Sequence, residues 1–282
     1  MRMTTFLRVL SGAFMLLSWQ VFAQDERPVI DDSKVPKEQP TALPSIWIAG
    51  DSTVKNHGGM RGWGQDLDRF IDPSKVRVVN RAIGGRSSRT FLSDGRWDEI
   101  LNGLKSGDLV LIQFGHNDVG PLGERGKFRG SLKGTGDETE DVEKPDGSVE
   151  TVHSYGWYLR HFARTAKAKG ATVVLCSPVP HKKFDREGKS VRDWETWRGW
   201  VQSCAETEGV LYLDLARIIG DGYEEMKATE IEAMFADKGT HTNAAGSRFN
   251  ARAAIAGLKG LPGNPVGAYL NEEGRAVEAA KP

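Results

Sequence analysis

Ile46-Trp47-Ile48-Ala49-Gly50-Asp51-Ser52-Thr53-Val54 is the stretch on which the reading of this chain turns. A short apolar run closed by Gly50-Asp51 reads as a buried strand that ends in a turn. Ser52 then stands at the carboxyl end of that strand, where open α/β sheets place their ligand sites. Gly-Asp-Ser alone decides nothing, because serine is an ordinary turn residue. Three further blocks give it weight: Asn80 to Arg89 (NRAIGGRSSR), Gly115-His116-Asn117-Asp118, and Asp237-Lys238-Gly239-Thr240-His241. Each follows a segment that reads as a strand or a helix.

Outward from Ser52, strands and helices alternate. Val76 to Val79, Asp108 to Phe114, Ala171 to Cys176 and Val210 to Leu215 read as four more short apolar strands. Helical patterning covers Gly62 to Phe70, Trp97 to Leu104, Ser154 to Lys169, Trp194 to Glu208, the region up to Phe235, and Asn243 to about Leu258. The pattern predicts a single doubly wound α/β domain over residues 45–262, with a five-stranded parallel sheet flanked by helices. Residues 119 to 152 break the pattern with glycines and charges, and a long structureless loop, of a kind often functional, is expected there. Residues 263 to 282 read as a frayed C-terminal tail. No glycine-rich phosphate motif follows any strand, so no nucleotide cofactor is expected.

Residues 1 to 23 read as a signal peptide. Arg2 and Arg8 precede an apolar run from Val9 to Ala23, and Val21-Phe22-Ala23 offers cleavage after Ala23. The run is shorter than a membrane span needs, so export to the periplasm or medium is expected rather than anchoring. Residues 24 to 44 are charged and proline-punctuated and read as a linker. Lys+Arg and Asp+Glu both number 38, which removes any global electrostatic case for nucleic acid or an anionic membrane as partner. Cys176 and Cys204 are the only two cysteines, either bridged or buried as free thiols.

Hydrolysing an ester at neutral pH takes an activated nucleophile, a base for its proton and donors for the developing oxyanion. Among six histidines, His241 is the best base for Ser52: it lies in a loop just before a helix, with an acid, Asp237, four residues upstream. A carboxylate on the far imidazole nitrogen would hold the tautomer and stabilise the imidazolium. No histidine pair stands at ligand spacing with a carboxylate, so no metal is expected.

Together the four blocks resemble the SGNH (GDSL-type) hydrolase superfamily, and within it the rhamnogalacturonan acetylesterase family, over roughly residues 45 to 260. The resemblance implies an SGNH, flavodoxin-like fold with Ser52 as nucleophile, His241 as base and Asp237 as acid. It also implies an oxyanion hole of the Ser52 N–H, the N–H of Gly85 (the glycine before the arginine, in preference to Gly84) and the Asn117 amide. The family separates acid and histidine by two residues, whereas Lys238, Gly239 and Thr240 intervene here. Either Gly239 bulges and leaves the carboxylate in place, or the Asp–His contact weakens. Trp63, His153, Tyr155 and Trp157 are candidates to line a sugar cleft, and Arg86 or Arg89 to bind a uronate, against the alternatives of core packing and solvated charge. The implied function is a serine esterase removing O-acetyl groups from a plant cell-wall polysaccharide or its oligosaccharides, foremost pectic rhamnogalacturonan. Alternatives are a xylan or other carbohydrate acetylesterase, an SGNH lipase or thioesterase, and a carbohydrate-binding protein without chemistry. The polar 119–152 segment argues against a lipid lid, and the presence of Ser52, Asn117 and His241 argues against a binding protein.

Overall fold

Alternate residues of the first strand, β1 (Ser45–Gly50), enter opposite halves of the interior. Ile46 and Ile48 join one core with Leu111, Val174 and Leu213, while Trp47 and Ala49 join the other with Val110, Ile112 and Leu175. That period of two, with every residue of β1 buried, marks a strand covered on both faces. In the computed structural model, which describes residues 42 to 281, β1 lies inside a five-stranded sheet. Its neighbours are β2 (Arg77–Asn80), β3 (Leu109–Gln113), β6 (Thr172–Cys176) and β7 (Leu211–Leu213), in the order β2-β1-β3-β6-β7. All four pairings are parallel, as expected of a doubly wound domain. The expected signal segment, its expected cleavage site and the expected linker up to residue 41 lie outside the described residues.

The first core is closed by α5 (Leu215–Glu224) and α7 (Ala244–Gly260), which contribute Ile219, Ala254, Ile255 and Leu258. The second is closed by α2 (Arg96–Gly103), α3 (Tyr155–Ala168) and α4 (Glu195–Glu208), through Trp97, Ile100, Phe162 and Val201. Each large apolar side chain so buried contributes about 1.5–3 kcal/mol. Local signals set the helix ends: Ser154 accepts from the Trp157 N–H to cap α3, and Asn243 accepts from Ala245 and Gly246 to cap α7.

Several expectations need correction. Residues 119 to 152 are not structureless: a 3-10 turn at Glu124–Gly126 precedes an antiparallel hairpin of β4 (Thr139–Glu143) and β5 (Val149–His153). Only Val142 and Val152 of that hairpin turn inward, so its sequence has no apolar run to read. Residues 263 to 281 are not frayed. Val266, Leu270 and Val277 are buried in the first core, and α8 (Glu272–Ala276) is capped by Asn271. Gly62 to Phe70 forms two 3-10 turns, Trp63–Gln65 and Leu67–Phe70, and a short helix α1 (Ser88–Ser93) follows the glycine-rich loop. Strand β7 stops at Leu213 because Asp214 already caps α5. Cys176 and Cys204 are free thiols that sit in different cores, with the sheet between them.

Candidate active site

The turn after β1 is held from beneath. Asp51 is fully buried, and its Oδ1 accepts from the Thr53 N–H at 2.8 Å and the Thr53 hydroxyl at 2.7 Å. Gln113 at the end of β3 donates to Thr53 Oγ1 at 2.8 Å, and Trp63 Nε1 donates to Gln113 Oε1 at 2.8 Å. Trp63 is therefore a buried strut under the nucleophile turn rather than a sugar-cleft residue. The other oxygen of Asp51 lies 3.5 Å from His116 Nδ1, while His116 Nε2 lies 3.1 Å from the Val179 carbonyl. Burial pushes the Asp51 carboxyl up, but His116 and the Thr53 donors outweigh it and hold the carboxyl below its ordinary value.

Opposite Ser52, the loop between α6 (Ala228–Glu232) and α7 is pinched by an antiparallel bridge between Phe235 and Thr242. Arg61 N–H donates to the Thr242 carbonyl at 2.7 Å and Thr242 Oγ1 to the Arg61 carbonyl at 2.6 Å, which fixes the loop against the nucleophile side. Within it, Asp237 Oδ1 accepts from the backbone N–H groups of Gly239 (2.9 Å), Thr240 (2.8 Å) and His241 (3.0 Å). Its Oδ2 lies 2.6 Å from His241 Nδ1, and His241 Nε2 lies 2.8 Å from Ser52 Oγ. The additional residue is thus absorbed by the turn, and the carboxylate keeps its place behind the imidazole. Partial burial raises the Asp237 carboxyl, yet the backbone donors and the imidazole prevail and leave it far below the ordinary carboxylate range. With Nδ1–H directed at a carboxylate, Nε2 keeps its lone pair and accepts the Ser52 hydroxyl.

The oxyanion candidates border the same oxygen. Gly85 has φ +79 and stands third in a turn closed by Arg86 N–H to the Ile83 carbonyl at 3.4 Å, a position that demands glycine or asparagine. A Cβ on Gly84 would lie 3.6 Å from Ser52 Cβ, so this loop adjoins the nucleophile. Among the described residues, neither the Ser52 nor the Gly85 backbone N–H has a protein acceptor. Asn117, 7% exposed, spends one amide hydrogen on the Arg86 carbonyl at 2.9 Å and keeps the other. Beneath it Asp118 is buried and receives the Ser88 N–H (3.1 Å), the Ser88 hydroxyl and the Ser131 hydroxyl (3.0 Å). Burial pushes its carboxyl up to about 6 against those donors.

The sugar-cleft expectations fare less well. Tyr155 is buried and donates to the Phe114 carbonyl at 2.9 Å, so it belongs to the second core. Arg89 is 0% exposed: it pairs with Glu150 at 2.8 Å and donates to the Leu122 and Gly130 carbonyls, so it clamps the hairpin segment and is out of a uronate's reach. Arg86 is partly exposed, but its Nε lies 2.7 Å from Asp94 Oδ2. His153 stacks on Trp157 with ring centres 3.7 Å apart, and none of its contacts reaches Ser52 or His241. Residues missed from the sequence lie on the loop after β6. His181 Nδ1 is 2.7 Å from Asp193 Oδ2, and Lys182 N–H donates to the Gly239 carbonyl at 2.8 Å. That loop reads as polar and featureless, and only its packing against the Asp237–His241 loop gives it meaning. Among the described residues no group of three or more His, Cys, Asp or Glu side chains is placed to hold a metal ion.

A hydroxyl, an imidazole and a carboxylate in series at the carboxyl edge of a doubly wound sheet are the equipment of acyl transfer. The class is that of the α/β ester hydrolases. Residues 48–249 match the GDSL-like Lipase/Acylhydrolase family, and the chain belongs to that family as a carboxylic ester hydrolase. It is 34% identical over 209 residues to the rhamnogalacturonan acetylesterase of Emericella nidulans, across 74% of this chain and 82% of the relative. A probable rhamnogalacturonan acetylesterase of Bacillus subtilis is 32% identical over 173 residues, 60% of this chain and 69% of that one. Among solved structures, the YxiM protein of Bacillus subtilis superimposes with a TM-score of 0.62 at 30% identity, covering 78% of this chain; this chain spans 57% of that one. The acetylxylan esterase Axe2 of Geobacillus stearothermophilus shares the fold, with a TM-score of 0.53 at 18% identity over 76% of this chain and 94% of its own.

Proposed function

We propose that this protein is an exported serine acetylesterase that removes O-acetyl groups from pectic rhamnogalacturonan. The observation that carries the reading is the Ser52–His241–Asp237 series, with 2.8 Å and 2.6 Å links, beside N–H groups that have no protein acceptor. Ser52 Oγ attacks the acetyl carbonyl as His241 Nε2 takes its proton. The Ser52 and Gly85 N–H groups and the free Asn117 amide hydrogen receive the developing oxyanion, and Asp237 stabilises the imidazolium without taking up a proton itself. Collapse expels the sugar oxygen, which takes the proton from His241 and leaves acetyl-Ser52. Water, deprotonated by the same histidine, then attacks the acetyl carbonyl, and the histidine returns that proton to Ser52 Oγ as acetate leaves. The polymer assignment draws on the two acetylesterase relatives, and export on residues 1 to 23.

Acetate is a small acyl group, so binding energy has to come from the sugar chain. Acetate release from acetylated rhamnogalacturonan should exceed that from acetylated xylan, and turnover of simple esters should fall from acetate to butyrate and beyond. A preference for long acyl chains would overturn the carbohydrate reading, and a preference for xylan would correct the polymer.

A further inference from the structure

The loop after β6 and the Asp237–His241 loop touch through their backbones. Besides the Lys182 N–H bond to Gly239, a Cβ on Gly239 would come within 3.0 Å of the Lys182 carbonyl oxygen. This contact carries the Lys182 ammonium to the triad. Its Nζ is 3.5 Å from the Asp237 carbonyl oxygen and 5.6 Å from the centre of the Phe235 ring. Asp237 directs its carboxylate to three backbone N–H groups and His241, and it forms no ion pair with Lys182, which reaches only its backbone carbonyl. Among the described residues no other carboxylate pairs with this ammonium. His181, one residue earlier, is held by Asp193 through Nδ1; its side chain is 30% exposed and Nε2 is uncommitted. The ring of His181 lies 5.1 Å from that of His116, the residue before Asn117. The pair 181–182 is thus bracketed by the acid loop of the triad and the Asn117 loop. Arg86 and Arg89, by contrast, are already matched by Asp94 and Glu150.

We propose that Lys182, with His181 beside it, forms a carboxylate-binding subsite that receives a uronate of the substrate chain. The proposal rests on the reading of Ser52 and His241 as the hydrolytic pair. In a chain of zero formal charge, an unmatched ammonium beside the triad is a local preference for an anion. It gives the enzyme a means of separating uronate-containing polymers from neutral ones by charge, away from the reacting carbonyl. The imidazole of His181, with its Nδ1 proton on Asp193, presents a lone pair at Nε2 to a sugar hydroxyl.

The test is calorimetric titration of the full-length protein with an unacetylated oligogalacturonide and with a xylo-oligosaccharide of equal length. The same two sugars compete against p-nitrophenyl acetate, to show that they occupy the active site. The oligogalacturonide should bind more tightly and competitively. Its affinity should fall about ten- to a hundredfold in Lys182→Met, which keeps the contact with Phe235 but drops the charge, and should be retained in Lys182→Arg. About 0.5 M NaCl should weaken the oligogalacturonide in the unmodified protein and leave the xylo-oligosaccharide alone. Equal affinity for the two sugars, or an oligogalacturonide affinity indifferent to both Lys182→Met and salt, overturns the subsite. Binding needs no turnover, so a protein that follows this pattern yet releases no acetate from rhamnogalacturonan refutes the polymer assignment and leaves the subsite standing.

Discussion

The proposed chemistry converges on His241, because both of its ring nitrogens are committed, one to Ser52 and one to Asp237. An asparagine at 237 keeps an acceptor for the three backbone N–H groups but loses the charge behind the imidazole and favours the wrong tautomer. Asp237→Asn should therefore lower kcat by about 10⁴, close to the loss in Ser52→Ala or His241→Ala, and combinations should add little further. Hydrolysis of p-nitrophenyl acetate measures this; a loss of only ten- to a hundredfold in Asp237→Asn would mean that the carboxylate merely orients the ring. Asn117→Ala should lower kcat by about 10²–10³ with KM little changed, as for one oxyanion donor. A change confined to KM would make Asn117 a sugar ligand. At this scale the sequence is legible where a motif fixes residue type and order, and the structure brings Ser52, His241 and Asp237 to hydrogen-bond distance in series. It is not legible where one residue type serves two purposes: Trp63 and Tyr155 are as aromatic in a core as in a sugar cleft, and only burial separates the two. The spacing of Asp237 and His241 was likewise ambiguous until the three N–H bonds to Oδ1 showed how the turn closes.

Among the elements, the β4–β5 hairpin stands apart, since it is two-stranded and one buried guanidinium of α1 ties it to the body. Arg89 binds Glu150 of β5 with two nitrogens, at 3.0 and 2.8 Å, and holds the carbonyls of Leu122 and Gly130 at 2.8 and 2.9 Å. Arg89→Ala would strand two carbonyls and leave Glu150 with Lys144 alone, at 3.0 Å, and each buried acceptor left unsatisfied costs about 1–3 kcal/mol. Amide hydrogen exchange should quicken across residues 119 to 153 well before the sheet strands, with a lower Tm; unchanged exchange there would show that the hairpin is held by other contacts. Glu150→Gln, which keeps an acceptor for Arg89, should have the milder effect. The five sheet strands were readable because each lies in a short apolar run, with every residue buried in the central strands β1 and β3. The hairpin was not, because a ribbon with one inward valine per strand has a sequence no different from a loop. The segment from 263 to 281 escaped notice for a related reason: Val266, Leu270 and Val277 follow no helical period, and their burial depends on a groove made by distant residues such as Phe70 and Ile71.

For the whole molecule, stability and the active site meet at Asp118, which ties the end of β3 to the start of α1 while buried 99% from solvent, its exposure being 1%. Its carboxyl is raised from the ordinary 3.8 to about 6, with burial as the main cause. The sign follows from proton binding. Between those two values the folded chain holds a proton that the unfolded chain has released, so stability falls as pH rises through this window. The loss is on the order of 3 kcal/mol by pH 7. Asp51 and Asp237 act in the opposite sense: both carboxyls are depressed, so the stability they contribute is present above 3.8 and is lost only at lower pH. The two effects therefore separate at about pH 4. Asp118→Asn keeps the oxygen that accepts from Ser88 and Ser131, since Oδ1 takes the Ser88 N–H and both hydroxyls, but it cannot ionise. The unfolding free energy of Asp118→Asn relative to the unmodified protein should therefore rise steadily from pH 4 to pH 7, by an amount on the order of that loss. Urea denaturation at fixed temperature across this range measures the difference. A flat line would mean that Asp118 ionises inside the fold at its ordinary value, and that the hydroxyls of Ser88 and Ser131 fully replace the water it gave up.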